Sequence, residues 1–583
     1  MSRHPHRQGD FNSESRLFQL SALACGIGLL ATVGAWVLLA MIRFFTNLFF
    51  HQTLSLSNPA AAAPHLGAWV ILLPVLGGLV IGVLARFGTD KIRGHGIPEA
   101  IEAILFGQSR MSLKVALLKP LSSGIAIGSG GPFGAEGPII MTGGAIGSLL
   151  AQYFHLSAAE RKALLVAGAA AGMTAVFGTP LAAVLLAIEV LLFELRPRSL
   201  LPVAVACGVA GFARTWLMEP GPLFQLQTPS PGPWTLLICP LIGVVAGVLG
   251  TGLSRTLYAI EDAFHRLPLH WMWWPALGGM VVGIGGYLVP STLGVGYDVI
   301  QALLHQRLGL TDTLAIVVVK AVIWLIALGS LTSGGVLAPL MMIGAGTGAI
   351  LAAVIPGPDA GLWPLLCMAG MLGGAMHAPL MAAVFAFGVT GDSAALLPLL
   401  VTTTVSYGCT VWLMPRSILT EKIARRGRHV WRETGVDPLE RHSVAECMTR
   451  RVECIAADMT VGEALLRHFG PGQRHRAFPV VDGDRLLGMA DREQLQAQPS
   501  HALCGQVCNE TPVALPQESC RSVSTRMARL HLARMAVVSD RDSRALVGLV
   551  SRSDLIDLSL VHYHEEEVRE RSRHLGWRTR RLS

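Results

Sequence analysis

The chain has 583 residues, 52% of them hydrophobic and only 14% charged, with a formal net charge of +8. Soluble domains carry about 25% charged residues, so this balance excludes one large soluble fold and points to a membrane protein. The surplus of Lys and Arg is what the cytoplasmic loops and tails of such a protein carry. It forms no basic stripe with interleaved aromatics, so nucleic acid is not an expected partner.

In chain order, residues 1–16, with Arg3, Arg7, Asp10, Glu14 and Arg16, read as a polar cytoplasmic tail. The apolar run from Leu17 is too long for a cleaved signal peptide and predicts the first membrane helix. Long apolar spans follow at about 17–50, 66–88, 199–217, 234–253 and 311–331. Others are short and broken by Gly and Pro, at about 112–128, 136–152, 160–176, 179–193, 295–305, 338–354, 361–375 and 379–413. Short, broken segments predict half-helices that meet inside the membrane, where irregular backbone is tolerated only if it is buried or lines a wet cavity.

The two halves echo each other. Ser129-Gly130-Gly131 precedes Pro138, Met141, Gly143 and Gly147, as Ser333-Gly334-Gly335 precedes Pro339, Met342, Gly344 and Gly348. Thr179-Pro180-Leu181 echoes Ala378-Pro379-Leu380 at nearly the same offset, about 200 residues. Such a repeat of broken helices is the signature of an inverted-repeat transport fold with its site at the repeat interface. The expected fold is therefore an all-α polytopic membrane domain over 17–425, with repeats at about 17–217 and 234–425.

After Met414, the cluster Arg416, Lys422, Arg425, Arg426 and Arg428 predicts a cytoplasmic exit. A linker over 426–442 leads to two similar α/β units, 443–498 with the strand Phe478–Val481 and 499–562 with the strand Met535–Val538. A charged tail at 563–583 ends the chain. The ten cysteines show neither metal-ligand spacing nor a disulfide framework; they read as small buried hydrophobes.

Three stretches carry the chemistry: Gly94-His95-Gly96-Ile97-Pro98, Gly134-Ala135-Glu136-Gly137-Pro138 and Gly335-Val336-Leu337-Ala338-Pro339. In each, glycine leads into a proline and then an apolar helix. Proline suits a helix's first turn, and glycine lets the backbone approach a ligand. The free N–H groups and the helix dipole then face an anion. Three such N-termini meeting at mid-membrane would make an anion site with no fixed full positive charge. Glu136 lies within one of them, and a carboxylate deep in a membrane is a functional hypothesis by default. The N–H groups that bind an anion can also bind its carboxylate, so Glu136 could plug the pathway. The competing reading is a helix-capping glutamate.

Those three motifs, in that order, resemble the signature of the CLC family of chloride channels and proton-coupled chloride exchangers. The soluble pair resembles the tandem CBS domains that some members carry. The resemblance implies chloride as substrate, no required cofactor, Glu136 as external gating glutamate, and a homodimer with one pore per subunit in a bacterial plasma membrane, both termini cytoplasmic. It also marks departures. His95 stands where a serine lends its hydroxyl to the central anion, Ala135 where Arg or Lys is common, and Leu337 where Phe is frequent. Ser417-Ile418-Leu419 resembles the stretch carrying an anion-coordinating tyrosine, with Leu419 in its place. His95 could donate a hydrogen bond, more strongly when protonated, or could turn to the cytoplasm and be solvated. In Pro180–Val190, Val190 falls where the exchangers' internal proton-handling acid belongs. Channel members show valine there, which favours passive conduction. The neighbouring Glu189 would lie about 100° around an α-helix and reads as a structural partner.

In the soluble pair, Ser551 and Asp554 fit the residues with which CBS domains hold an adenine nucleotide (ATP, ADP or AMP). Asp491 and Gln494 of the first unit fit poorly, and a pair that only steadies the dimer is the alternative. Three rival functions stay open: a proton-coupled exchanger using another acid, a CBS-regulated cation transporter, which would need more membrane acids than Glu99, Glu136 and Glu189, and, last, an enzyme, for which no nucleophile–base pair or metal cluster is present.

Overall fold

The computed structural model describes residues 16–58, 64–107, 109–154, 156–193, 197–218, 220–355, 360–427, 430, 439, 442–470, 473 and 475–557. The expected N-terminal tail up to residue 15, most of the linker, the end of the second α/β unit and the charged C-terminal tail lie outside them. The chain divides into two units, Met1–Arg432 and Glu433–Ser583.

The first unit is helical. Its first half contains α1 (Arg16–Thr46), α2 (Leu72–Phe87), α3 (Ile97–Leu105), α4 (Leu113–Gly128), α5 (Glu136–Gln152), α6 (Ala158–Phe177), α7 (Pro180–Leu186) and α8 (Pro197–Leu217). Its second half contains α9 (Pro233–His265), α10 (Trp274–Leu288), α11 (Tyr297–Leu304), α12 (Leu310–Gly329), α13 (Leu337–Val354), α14 (Trp363–Met376), α15 (Pro379–Thr390), α16 (Leu396–Leu413) and the short α17 (Thr420–Arg425). Among the described residues, seven helices are long and apolar enough to cross a membrane. α3, α7, α11 and α15 are short, as the broken apolar runs predict.

Three details differ from the sequence expectation. The 379–413 run is two helices, because Gly391 ends α15 in a left-handed conformation (φ 75°). α9 runs on to His265, past the expected end near 253. α10 is absent from the expected spans. Its window is interrupted by five glycines, and those glycines are packing sites: a β-carbon on Gly279 would stand 2.3 Å from the Pro74 carbonyl oxygen of α2.

The two halves repeat in local backbone geometry. Gly94 and Gly96 (φ 80° and 88°) correspond to Gly294 and Gly296 (φ 63° and 73°), each pair leading into a short helix after a 3-10 turn. Gly178 (φ 70°) ends α6 as His377 (φ 56°) ends α14, each just before a proline-started helix. A β-carbon on Gly78 would strike the Pro275 carbonyl at 2.3 Å, the mirror of the Gly279–Pro74 approach. The register of one expected echo needs correction. The counterpart of Ser129 is Ser330, not Ser333. Ser129 Oγ donates to Ala126 O (3.1 Å) and Ser330 Oγ to Ala327 O (2.7 Å), each against a glycine of the neighbouring helix, Gly77 and Gly278.

The second unit holds α18 (Val444–Cys447), β1 (Ile455–Ala456), α19 (Val461–His468), β2 (Ala477–Asp482), β3 (Arg485–Asp491), α20 (Arg492–Gln496), α21 (Cys504–Val507), β4 (Val513–Ala514), α22 (Cys520–Arg529), β5 (Arg534–Val538) and β6 (Leu546–Ser551). It forms two three-stranded sheets, β1-β2-β3 and β4-β5-β6, each with a parallel and an antiparallel pair. The lead-in helices are exchanged. Val444 of α18 is buried in the core around β4–β6, and Cys504 of α21 in the core around β1–β3.

Candidate functional site

Three glycine loops meet inside the first unit. Gly335 N–H donates to Gly134 O (3.1 Å) and Gly334 N–H to Gly94 O (3.4 Å). A β-carbon on Gly137 would lie 2.0 Å from His95 O, and one on Gly96 3.0 Å from Gly137 O. Only glycine permits that approach. The loops lead directly into α3, α5 and α13, whose starting residues Ile97, Pro98, Gly137, Pro138, Val336, Leu337 and Ala338 are all buried. The structure thus brings together the N-termini read from the sequence.

Glu136 sits at their meeting point, with no exposed surface. Its Oε1 accepts the Leu337 N–H at the start of α13, in the other half of the chain. The glycines make the room. A β-carbon on Gly134 would stand 1.8 Å from Glu136 Oε2, and one on Gly335 2.3 Å from Oε1. Glu136 is thus the first residue of its own helix, and its carboxylate is placed on a different one, where an anion would be held by backbone N–H groups and the dipole.

Lys119 of α4 knits the loops together. Its Nζ donates to Ile92 O (2.9 Å), Gly94 O (2.8 Å) and Ser333 Oγ (3.0 Å), using all three ammonium donors. Ser123 Oγ shares a bond with Ser333 Oγ at 2.9 Å. Sequence reading passed over Lys119. The available signal was a second lysine, Lys320, at the same offset as the repeat.

His95 is 3% exposed, which removes the solvated alternative, and its Nδ1 has no hydrogen-bond partner among the described residues. Glu99 Oε2 accepts the Gly96 N–H (3.1 Å), and its other oxygen pairs with Lys422 (2.9 Å) and Arg426 (3.1 Å). α17 is thereby clamped to the start of α3. Leu419 is buried just before α17. There the Ile418 N–H donates to Ala375 O (3.0 Å) and the Tyr258 hydroxyl donates to Ile418 O, so this tyrosine's proton is committed to backbone.

Val190 is fully buried in a π-helical stretch, Ala187–Leu192, rather than the α-helix assumed from sequence. Such π segments are rare and concentrate at functional sites. Beside it Glu189 caps α15, accepting the Leu380 N–H (3.3 Å) and the Met381 N–H (2.8 Å). Its carboxylate thus holds the start of a neighbouring helix. The three membrane acids, Glu99, Glu136 and Glu189, are each engaged separately, and no group of three metal-ligating side chains occurs among the described residues.

In the second unit, Ser551 N–H and Oγ both donate to Asp554 Oδ2 (2.8 and 2.9 Å), at the start of the helical residues Arg552–Asp557. Asp491 similarly accepts the Gln494 N–H (2.8 Å) at the start of α20. The expected nucleotide residues are therefore together, in a helix cap.

Residues 77–410 match the family model of voltage-gated chloride channels, and residues 444–496 and 504–560 match that of CBS domains. The voltage-gated ClC-type chloride channel ClcB of Salmonella typhimurium is 31% identical over 403 residues, covering 67% of this chain and 95% of that protein. Among solved structures, a slow cyanobacterial Cl−/H+ antiporter superposes with a TM-score of 0.63 at 22% identity, over 73% of this chain and 99% of the other. A eukaryotic CLC transporter superposes with a TM-score of 0.59 at 19% identity, over 92% and 98%. With over half its length under one family model, the three glycine loops in order and a CBS pair following, the chain belongs to the CLC family of voltage-gated chloride channels.

Proposed function

We propose that this protein conducts small anions, chloride foremost, through a pathway lined by the N-termini of α3, α5 and α13 and gated by Glu136. The observation that carries this reading is the Glu136 carboxylate on the Leu337 N–H. A carboxylate is a tethered anion, and a place that holds it also holds a permeant one. Gly94, His95, Gly96, Ile97 and Pro98 form the inner wall, Gly134, Gly137 and Pro138 the gate loop, and Gly335, Val336, Leu337 and Ala338 the opposing amides. Leu419 lends the pathway a surface without a hydroxyl. Backbone amides rather than a cationic side chain hold the anion, the Lys119 ammonium at these loops being spent on Ile92 O, Gly94 O and Ser333 Oγ, so release stays fast. A cation pathway is disfavoured because each membrane acid is already bonded to helix N–H groups or to cations.

Passive conduction is the preferred mode, because Val190 cannot carry a proton and Glu189 is spent on capping α15. Proton-coupled exchange is the second reading, favoured by the antiporter among the fold's neighbours, and it needs an acid elsewhere. The protein acts as a homodimer in a bacterial plasma membrane, one pore per subunit, both termini cytoplasmic. It is a transporter rather than an enzyme. The CBS pair modulates conduction, and Ser551 with Asp554 holds adenine nucleotide there.

The test is flux from liposomes containing purified protein, with chloride inside, voltage set by a potassium gradient and ionophore, and external pH followed in parallel. Chloride efflux without proton movement is expected, and Glu136→Gln should raise it at rest. Protons driven uphill would replace conduction by exchange. No flux of any small anion would overturn the substrate assignment.

A further inference from the structure

The two lead-in helices of the second unit are seated by one scheme used twice. In one half, the Val444 N–H donates to Glu518 O, the Ala445 N–H to Pro516 O and the Cys520 N–H back to His442 O, each at 2.9 Å. In the other, the Cys504 N–H donates to Met459 O, the Gly505 N–H to Ala457 O and the Val461 N–H back to Ala502 O, again at 2.9 Å. Cys447 at the end of α18 therefore corresponds to Val507 at the end of α21, and Cys520 at the start of α22 to Val461 at the start of α19. Two valines fill that place in one half, so packing does not call for sulfur in the other.

The Cys447 and Cys520 sulfurs lie 3.4 Å apart, although the residues are 73 positions apart in the chain. A disulfide holds its sulfurs about 2.0 Å apart, so closure needs only a small approach between segments already tied by the backbone bonds. Cys447 is half-buried and open to a small reagent, whereas Cys520 is buried. The bond between the thiols holds the Cys447 pKa below that of an ordinary thiol, against burial and the Asp554 and Glu446 carboxylates, and the thiolate is the reactive form. The other half-buried cysteines of this unit, Cys454 and Cys508, face backbone oxygens instead, Val452 O (3.4 Å) and Gly505 O (3.7 Å). Just past Cys447, the Thr449 N–H donates to Leu549 O (2.9 Å) and the Leu549 N–H to Thr449 O (3.0 Å). The lead-in segment thus runs from the start of α22 to β6.

We propose that Cys447 and Cys520 form a redox modification site, a dithiol that hydrogen peroxide closes to an intramolecular disulfide. The Cys447 thiolate attacks one peroxide oxygen. An S–O bond forms, the O–O bond breaks, and the departing hydroxide takes up the proton that the thiol lost, leaving water and a sulfenic acid. The Cys520 sulfur then attacks the Cys447 sulfur. The S–S bond forms, the S–O bond breaks, and the hydroxyl leaves as water with the Cys520 proton. The two thiols together give up two electrons, and one peroxide becomes two waters. A small thiol reverses the change by exchange, as befits a disulfide in a reducing compartment, where such bonds are transient and redox-sensing. The disulfide pins the lead-in helix to the start of α22, which the valine pair of the other half cannot do. The site is independent of the anion pathway proposed above.

The test uses the full-length protein in detergent, reduced, freed of reductant and treated with hydrogen peroxide. Remaining thiols are blocked with iodoacetamide, and the protein is digested without reductant for mass spectrometry. A peptide pair joined through Cys447 and Cys520 should appear, two hydrogens lighter than the separate peptides, and dithiothreitol should remove it. In Cys520→Val the second step is lost, so dimedone should trap a sulfenic acid at Cys447. In Cys447→Val the first step is lost, so Cys520 should stay a thiol at the same peroxide concentration. Valine occupies both corresponding positions of the other half, so both variants should fold. Hydrogen exchange of the 444–449 amides should slow on oxidation in the wild type and in neither variant. Oxidation of the other half-buried cysteines without a Cys447–Cys520 pair, or joining of Cys447 chiefly to a different cysteine, would overturn the proposal. So would undiminished oxidation of Cys520 in Cys447→Val, because Cys447 would then not be the point of attack. Unchanged exchange in the oxidised wild type would overturn the pinning of the lead-in helix.

Discussion

Lys119 and Lys320 do one job in two places. Lys119 donates to Ile92 O at 2.9 Å and Gly94 O at 2.8 Å, and Lys320 donates to Thr292 O at 2.9 Å and Gly294 O at 2.8 Å. Each reaches from a buried helix to a turn of two left-handed glycines that starts a short helix. Only Lys119 has Ser333 as a further acceptor, and only its turn lies among the three loops of the candidate site.

That asymmetry predicts unequal consequences. Replacing either lysine by methionine strands two buried carbonyls, at about 1–3 kcal/mol each, and both variants should lower the melting temperature in detergent. Lys119→Met should also change chloride flux per folded protein, because the 92–94 turn leads into the inner wall of the proposed pathway. Lys320→Met should leave flux per folded protein near wild type. Equal flux losses would show that the two turns are equivalent in transport as well as in geometry.

Gly134→Ala isolates the gate. The atoms nearest a β-carbon there all belong to the Glu136 carboxylate, at 1.8 to 2.6 Å. A methyl group should therefore displace the carboxylate while leaving backbone contacts alone. The expected liposome flux resembles that of Glu136→Gln, and adding Glu136→Gln to Gly134→Ala should produce little further change. Flux lower than wild type would mean that the carboxylate is forced deeper rather than out.

Glu99 and Lys422 form a buried pair, 6% exposed each, that joins α3 to α17. Breaking one side of such a pair costs about 3–5 kcal/mol, largely because the other charge is left alone. Glu99→Gln and Lys422→Met should each destabilise strongly, and the double variant by less than the two together. Additive losses in thermal unfolding would mean that the pair is not energetically coupled.

In the second unit, the thiols of Cys447 and Cys520 are 3.4 Å apart. Cys520 is buried and Cys447 half-buried. The hydrogen bond between the two thiols holds the Cys447 pKa below that of an ordinary thiol, while the same bond, and after it burial, raises that of Cys520. The reactive thiolate of Cys447 should thus appear at lower pH. Iodoacetamide followed by peptide mass spectrometry should label Cys447 before Cys520, and Cys520→Ala should move the Cys447 pH profile upward. Labelling of Cys520 first would contradict this order.

Much of the molecule was legible from local signals. Hydrophobicity and charge separate the membrane domain from the α/β pair, glycine and proline mark the loops that start α3, α5 and α13, and a lone glutamate in such a loop singles out Glu136. These signals survive because each depends on a few adjacent residues: a φ that only glycine accepts, an N–H that proline need not provide, an apolar run of fixed length. The spacing of the repeat was visible too, but its register was not. Ser129 pairs in role with Ser330 because both cap a helix against a neighbouring glycine, a relation between helices that the Ser-Gly-Gly string at 333–335 does not carry.

The sequence alone determined the class of the protein and its motifs, and it singled out Glu136 as the candidate gate. Only the tertiary structure decided the partners. It placed the Glu136 carboxylate on the Leu337 N–H, tied Lys119 to Ser333 and spent Glu189 on the N-terminus of α15. The physical reason is range. Chain conformation is set largely by near neighbours, whereas a buried polar atom must find whichever donor or acceptor the packing of distant helices brings within about 3 Å.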